Sequence, residues 1–305
     1  MKVLLATDKP FAAVAVKGIR QAVEESGMEL VLLEKYTAKS QLLEAVAGVQ
    51  AMIIRSDIVD AEVISSAKDL KIVVRAGAGY DNIDLDAATS RGICVMNTPG
   101  QNANAVAELV FGMLIYAVRG FFSGKSGTEL KGKTLGLFAY GNVARNVARI
   151  AEGFNMKVSA YDEYLSAVEI NNNGATATAT KEDLFASSQI ISLHIPATAE
   201  TSKCVNYDLM ARMPKGAILV NTARKEIINE PDLARMFADR PDFFYISDIL
   251  PSIDAELKAA YPDRYLAMPK KLGAQTSEAN INAGIAAAKQ IVDFIHNGNR
   301  TFQVN

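Results

Sequence analysis

Three groups of residues in this sequence have the types and spacings that do chemistry. Residues 139–162 hold the first: small side chains at Ala139, Gly141 and Ala144, then a carboxylate at Asp162. A dinucleotide pyrophosphate needs small residues at three such points, for the turn, for its own approach to backbone amides at a helix start, and for helix–strand contact. Gly141, Asn142 and Val143 would supply those amides. Asp162, about 20 residues past the loop, would accept hydrogen bonds from an adenosine ribose and repel a 2′-phosphate, which favours NAD over NADP. Only the middle position is glycine, so the loop by itself reads equally as a packing turn, and Ala139 is expected at negative φ in a slightly altered turn.

The second group is Arg224, just past the β-branched run 217–221. Open α/β sheets bind ligands at the carboxyl edges of their strands, and a guanidinium there can grip a carboxylate and a neighbouring oxygen together. The plain alternative is a surface arginine at a strand end. The third is the lysine pair of Pro269-Lys270-Lys271-Leu272-Gly273-Ala274-Gln275-Thr276. A lysine serves as general base only where desolvation or a nearby positive charge disfavours its ammonium form; otherwise the pair are loop lysines facing solvent.

These groups need elements to hold them. Short β-branched runs at 3–6, 30–33, 51–54, 72–75, 134–139, 157–161, 190–194, 217–221 and 244–247 alternate with amphipathic stretches, the pattern of parallel sheets covered on both faces. Nine such units are too many for one open doubly wound sheet, so two sheets are expected. The chain is 305 residues long and 50% hydrophobic, enough for two moderate cores. A turn cluster, Asn97-Thr98-Pro99-Gly100, follows a strand-like 93–96 and precedes a long helix at 103–118, which marks a boundary. A closing helix is expected over 279–296.

Net charge is −2, which gives no electrostatic reason for nucleic acid or an anionic membrane as partner. No segment reaches the roughly 18 apolar residues of a membrane span. Cys94 and Cys204 are far apart and read as reduced thiols, so a cytoplasmic protein is expected. No metal is assigned.

Several motifs together resemble the D-2-hydroxyacid dehydrogenase family over nearly the whole chain. They are Arg75-Ala-Gly-Ala-Gly-Tyr-Asp-Asn-Ile-Asp84, Asn97-Thr-Pro-Gly-Gln-Asn-Ala-Asn-Ala-Val-Ala-Glu108, Leu130-Lys-Gly-Lys-Thr-Leu-Gly136, Ser192-Leu-His-Ile-Pro196 and Asn221-Thr-Ala-Arg224, in family order. The resemblance implies two doubly wound, Rossmann-like α/β domains with a cleft between them: a substrate-binding domain of 1–98 plus 275–305 and an NAD-binding domain of 99–274. It implies that Arg224 is the catalytic arginine, that Ala78 and Gly79 present amides to a substrate carboxylate, and that Arg55 and Ser56, with Arg75 nearby, suit a phosphorylated substrate. His194, Ile195 and Pro196 would lie beside the adenine. Thr201, Thr222 and Ala223 would complete the cofactor contacts, with Asp248 beside the nicotinamide carboxamide. A homodimer is implied too, with a shortened connection at 119–128 altering its contact region.

The sequence departs from the family at two coupled points. Where the family has a histidine base, this chain has Lys270-Lys271, and where it has the glutamate partner, Ile253 stands nearby. A carboxylate that raises an imidazole's basicity would hold an ammonium protonated, so losing it suits a lysine base. Apolar Ile253 and the charge of Arg224 are expected to favour the free amine. Counting back from Gly273 selects Lys271, counting on from Pro269 selects Lys270, and both stay open. Neither His194 nor His296, the two histidines, replaces the missing base; His296 would end the last helix in solvent.

With its length, the lysine variant resembles a compact, lysine-using class of D-3-phosphoglycerate dehydrogenases. A glyoxylate or hydroxypyruvate reductase is the nearest alternative. A non-catalytic NAD-sensing protein of the corepressor type is a further one, opposed by Arg224 and the Ala78–Gly79 amides, which a sensor does not need.

Overall fold

The structure, a computed structural model, describes residues 1–305. The chain forms two compact units, 1–102 with 275–305, and 103–274. Each is an α/β unit built on its own parallel sheet.

In the first unit, β1 (Lys2–Thr7), α1 (Ala13–Glu25), β2 (Glu29–Glu34), α2 (Lys39–Ala45), β3 (Ala51–Ile54), α3 (Ala61–Ser66), β4 (Ile72–Arg75), α4 (Leu85–Ser90) and β5 (Cys94–Asn97) alternate strictly. The sheet order is β2-β1-β3-β4-β5, all parallel. Every residue of β3 is buried, because helices cover both faces and leave no solvent side for polar alternation. In the second unit, α5 (Ala103–Val118), β6 (Thr134–Phe138), α6 (Asn142–Gly153), β7 (Lys157–Tyr161), α7 (Ala167–Asn172), β8 (Thr176–Ala177), α8 (Lys181–Ser187), β9 (Ile190–Leu193), α9 (Tyr207–Met210), β10 (Ile218–Asn221), α10 (Glu230–Asp239), β11 (Phe244–Ser247), α11 (Asp254–Ala260) and β12 (Tyr265–Ala267) follow. Its order is β12-β11-β10-β9-β6-β7-β8, again parallel throughout. Two edge strands, β8 and β12, escape the sequence reading because two or three residues are too short to show a period.

The last helix, α12 (Ser277–Asn297), returns to the first unit and packs on α1. Small residues make the approach possible: a Cβ on Gly18 would lie 2.6 Å from Ile285 Cδ1, and one on Gly284 2.9 Å from Ile19 Cδ1. The tail then adds a single antiparallel bridge, Gln303 opposite Met96. His296 is exposed in the last turn of α12, as its position predicts. No helix is long and apolar enough to cross a membrane.

Candidate active site

Strand register in the second unit lines up five of the sequence-selected residues. Ser247, Asn221, Leu193, Phe138 and Tyr161 are in-register neighbours across β11, β10, β9, β6 and β7. The residue that follows each is therefore Asp248, Thr222, His194, Ala139 or Asp162, a row along the carboxyl edge of five adjacent strands. The chain order reverses direction between β6 and β9, the switch point at which such sheets open a ligand crevice.

The nucleotide loop sits at the centre of this row. Gly141 is the N-cap of α6 with no side-chain cap, and a Cβ on it would meet nothing within 4 Å. The first amides of α6, including those of Asn142 and Val143, have no intrahelical acceptor and face an open approach suited to pyrophosphate. Ala139 corrects an expectation: its φ is 70°, in the left-handed region, not negative. The turn keeps the shape glycine would have taken, because the Ala139 N–H must reach Tyr161 O at 2.9 Å while the Tyr140 N–H reaches Asp162 Oδ2 at 2.7 Å. Asp162 thus closes the loop; its Oδ1 accepts from the Tyr164 and Leu165 amides at 2.9 and 3.1 Å.

Three buried polar atoms along the row have no protein partner: His194 Nε2, Thr222 Oγ1 and Asp248 Oδ1. A buried polar group without a partner is costly, so three of them at one sheet edge mark a place built for a polar ligand. A dinucleotide's amide and sugar groups fit that donor and acceptor set. Burial pushes His194 down to about 3, so its imidazole is neutral. Beyond it, Ile195 packs on the apolar core, and Thr201 closes the loop by donating to Pro196 O at 2.6 Å and accepting from the Thr198 amide at 2.7 Å.

The lysine pair separates by geometry. Lys270 is exposed, whereas half-buried Lys271 donates from Nζ to the Ala223 carbonyl at 2.6 Å. The same oxygen accepts from Arg224 Nη1 at 3.0 Å, so the amine and the guanidinium converge on one atom. Asp248 is fully buried, and its Oδ2 accepts the Gly273 N–H at 3.1 Å. Burial raises the Asp248 carboxyl, offset in part by the charge of Lys271, the Gly273 hydrogen bond and Arg224. A Cβ on Gly273 would stand 2.9 Å from Asp248 Oδ2, so only glycine brings this segment so close.

Asp248 adds to the surroundings expected for the amine. Its carboxylate interacts with the charge of Lys271, while Ile253 packs against the apolar cluster that includes Leu257 and Tyr265. The amine's surroundings therefore hold charges of both signs. Sequence reasoning also missed Asn221, quoted above only as the first letter of a motif. It is fully buried and holds the turn: Oδ1 accepts from the Ala223 N–H, and Nδ2 donates to Arg224 O, both at 3.0 Å.

The remaining candidates gather at the carboxyl edge of the first unit's sheet, where Arg75 is in register with Ile54 and Asn97. Arg55 stacks over the Phe11 ring at 5.0 Å and donates to Asn280 Oδ1 at 2.6 Å and Lys9 O at 3.2 Å, with exposed Ser56 beside it. Arg75 donates to Arg55 O at 3.0 Å and lies over Gly77, whose φ of 154° and missing Cβ make room for the guanidinium. Asn97 donates to Ala78 O at 2.6 Å, and the Thr98 amide to Gly77 O at 3.0 Å. The Ala78 and Gly79 amides stay outside this bonding. Buried Asp57, another missed residue, accepts from the Asp8 and Arg55 amides and the Tyr36 hydroxyl at 2.8, 3.2 and 2.7 Å, which fixes the turn carrying Arg55.

The profile of the D-isomer specific 2-hydroxyacid dehydrogenase catalytic domain matches residues 6–305. This chain belongs to that family. The expected oxidoreductase of 2-hydroxy acids, on two parallel-sheet α/β units, is met. It is 35% identical over 283 residues to the hydroxypyruvate reductase of Thermotoga maritima, covering 86% of this chain and 90% of that protein. It is 34% identical over 311 residues to the D-3-phosphoglycerate dehydrogenase of Archaeoglobus fulgidus, 96% of this chain but only 57% of that longer protein. It spans about half of several other D-3-phosphoglycerate dehydrogenases, 50% for that of Mycobacterium bovis. Among solved structures, NAD+-bound 3-phosphoglycerate dehydrogenase of Entamoeba histolytica is 46% identical, with a TM-score of 0.87 and coverage of 100% of this chain and 98% of that one.

Proposed function

We propose that this protein is an NAD-dependent D-3-phosphoglycerate dehydrogenase, interconverting 3-phospho-D-glycerate and its 2-oxo acid at the start of serine biosynthesis. The observation that carries the chemistry is the meeting of Lys271 Nζ and Arg224 Nη1 on the Ala223 carbonyl beside Asp248. The choice of substrate is supported by the 46% identity to the Entamoeba enzyme over almost the full length of both chains.

Bound NAD supplies the hydride acceptor; Gly141, Asn142 and Val143 would hold its pyrophosphate, Asp162 its ribose and Asp248 Oδ1 its carboxamide. The Arg224 fork grips the substrate carboxylate and the C2 oxygen and stabilises charge developing on that oxygen. As the C2–H bond breaks with its electron pair leaving as hydride, Lys271 Nζ takes the hydroxyl proton and the C2–O bond becomes a carbonyl. In the reducing direction Lys271 returns that proton. The Ala78 and Gly79 amides would donate to the carboxylate, and Arg55 with Arg75 to the phosphate. On this reading the enzyme works as a homodimer in the reducing cytoplasm, where Cys94 and Cys204 stay free thiols.

A second reading, hydroxypyruvate reductase, is favoured by the Thermotoga relative, since 90% of that protein is covered. Steady-state rates of the purified protein with NADH and phosphohydroxypyruvate, hydroxypyruvate or glyoxylate separate the two. The phosphorylated acid is expected to give the highest kcat/KM; equal efficiency on the unphosphorylated acids refutes the phosphoglycerate assignment.

A further inference from the structure

We propose that Asn221 is a positioning residue: its amide sets the spacing between the Arg224 guanidinium and the Lys271 amine, and Tyr245 holds that amide from behind. The proposal rests on the reading of Lys271 as the base.

Both groups converge on the Ala223 carbonyl, at 2.6 Å from Lys271 Nζ and 3.0 Å from Arg224 Nη1. An amine that donates one hydrogen to this oxygen turns its remaining directions elsewhere, toward a substrate hydroxyl. Where the carbonyl points therefore contributes to where the base points. The carbonyl belongs to the peptide between Ala223 and Arg224, and Asn221 pins the chain on both sides of that peptide. Its Oδ1 takes the Ala223 N–H and its Nδ2 gives to Arg224 O, both at 3.0 Å. The side chain bridging forward to its own backbone is an Asx-type turn, which fixes a tight loop with one residue. The amide orientation is forced, because a backbone N–H can only donate and a backbone carbonyl only accept.

The second Nδ2 hydrogen goes to Tyr245 Oη at 3.2 Å. Tyr245 and Asn221 are fully or almost fully buried. Burial pushes the Tyr245 phenol up to about 12, so it stays a neutral hydroxyl and offers a stable acceptor. Ser247 completes the frame by donating to Asn221 O at 2.9 Å. All three donor or acceptor positions of the Asn221 amide in use are satisfied, so the turn it holds is rigid.

Asn221→Ala, Asn221→Ser and Tyr245→Phe are compared with Lys271→Ala and the parent enzyme, using whichever 2-oxo acid the parent reduces fastest. NADH binding is followed separately by cofactor fluorescence. With Asn221→Ala, NADH affinity and KM are expected to stay within about threefold while kcat falls by roughly 30- to 100-fold, the scale of a misplaced reacting group. The limb of the kcat–pH profile that disappears in Lys271→Ala should also move. Asn221→Ser, whose hydroxyl keeps an acceptor for the Ala223 N–H, should recover part of the loss, and Tyr245→Phe should show a smaller loss with the same pH displacement.

An Asn221→Ala protein that binds NADH and keeps kcat within about threefold, with an unmoved pH limb, overturns the proposal. If that variant does not bind NADH, Tyr245→Phe decides, and an unchanged kcat and pH limb there overturns it equally. Full turnover in Lys271→Ala removes the base assignment and this proposal with it, whereas loss there with unaffected Asn221 variants removes the positioning role alone.

Discussion

Replacing Ala139 with glycine should stabilise the nucleotide-binding unit, although the change deletes a methyl group from the end of a buried strand. Ala139 holds φ at 70°, where an L side chain costs roughly 1–2 kcal/mol through the clash of Cβ with the following carbonyl. Glycine removes that cost but frees the unfolded chain, which takes back about 0.4–1 kcal/mol. The methyl is only half-buried, so its lost transfer energy is a fraction of the ~0.8 kcal/mol of a fully buried group. Taking the middle of each range, the balance is a gain of about 0.5 kcal/mol for Ala139→Gly, with Tm rising about 2–4 °C per kcal/mol in a unit of this size.

Ala139→Val supplies the opposite arm. A β-branched side chain at positive φ is a stronger conflict, so a loss of about 1–2 kcal/mol is expected. The protein has no tryptophan, and urea unfolding of the cofactor-free form is therefore followed by tyrosine fluorescence and by circular dichroism. NADH affinity of the glycine variant should be unchanged or tighter, since the backbone path beside Gly141 is kept. A glycine variant less stable than the parent, or a valine variant of equal stability, would refute the strain argument.

Three further outcomes are expected. Lys271→Ala should lower turnover by about 10²–10⁴-fold, the range of a lost general base, while exposed Lys270→Ala stays within a few fold in steady-state assay. Gly273→Ala places a Cβ 2.9 Å from Asp248 Oδ2 and 3.1 Å from Val106 Cγ2, both in the interior; thermal unfolding should show a loss of about 1–3 kcal/mol, and kcat should fall as the segment carrying Lys271 is displaced. His194 takes its proton near 6.5 when unfolded but only at about 3 when folded, so the unfolded state binds more protons between those values and stability falls with falling pH across that window. His194→Asn removes this term; the Tm of the parent should drop relative to the variant as pH is lowered below about 6.5, and parallel curves would exclude a buried neutral imidazole.

The alternation of β-branched runs with amphipathic stretches by itself determined two parallel sheets, because burial on both faces imposes a hydrophobic pattern that depends on the strand alone. Local spacing likewise marked Gly141, Asp162 and Arg224, since a strand, a tight turn and a helix start are properties of short segments. What only the tertiary structure decided depends on contacts across long sequence separations. Counting along 269–276 leaves Lys270 and Lys271 equivalent, whereas in the fold only the Lys271 amine meets a carbonyl 48 residues away while Lys270 is exposed. Asp248 lies within reach of that amine's charge because β11 ends there in register with β10. Ala139 is held at positive φ because two hydrogen bonds to the end of β7 fix the turn more strongly than the residue's own preference. Asn221 looks in sequence like the polar end of a buried strand; only the folded turn shows its amide bonded on both sides of the peptide whose carbonyl accepts from Lys271 and Arg224.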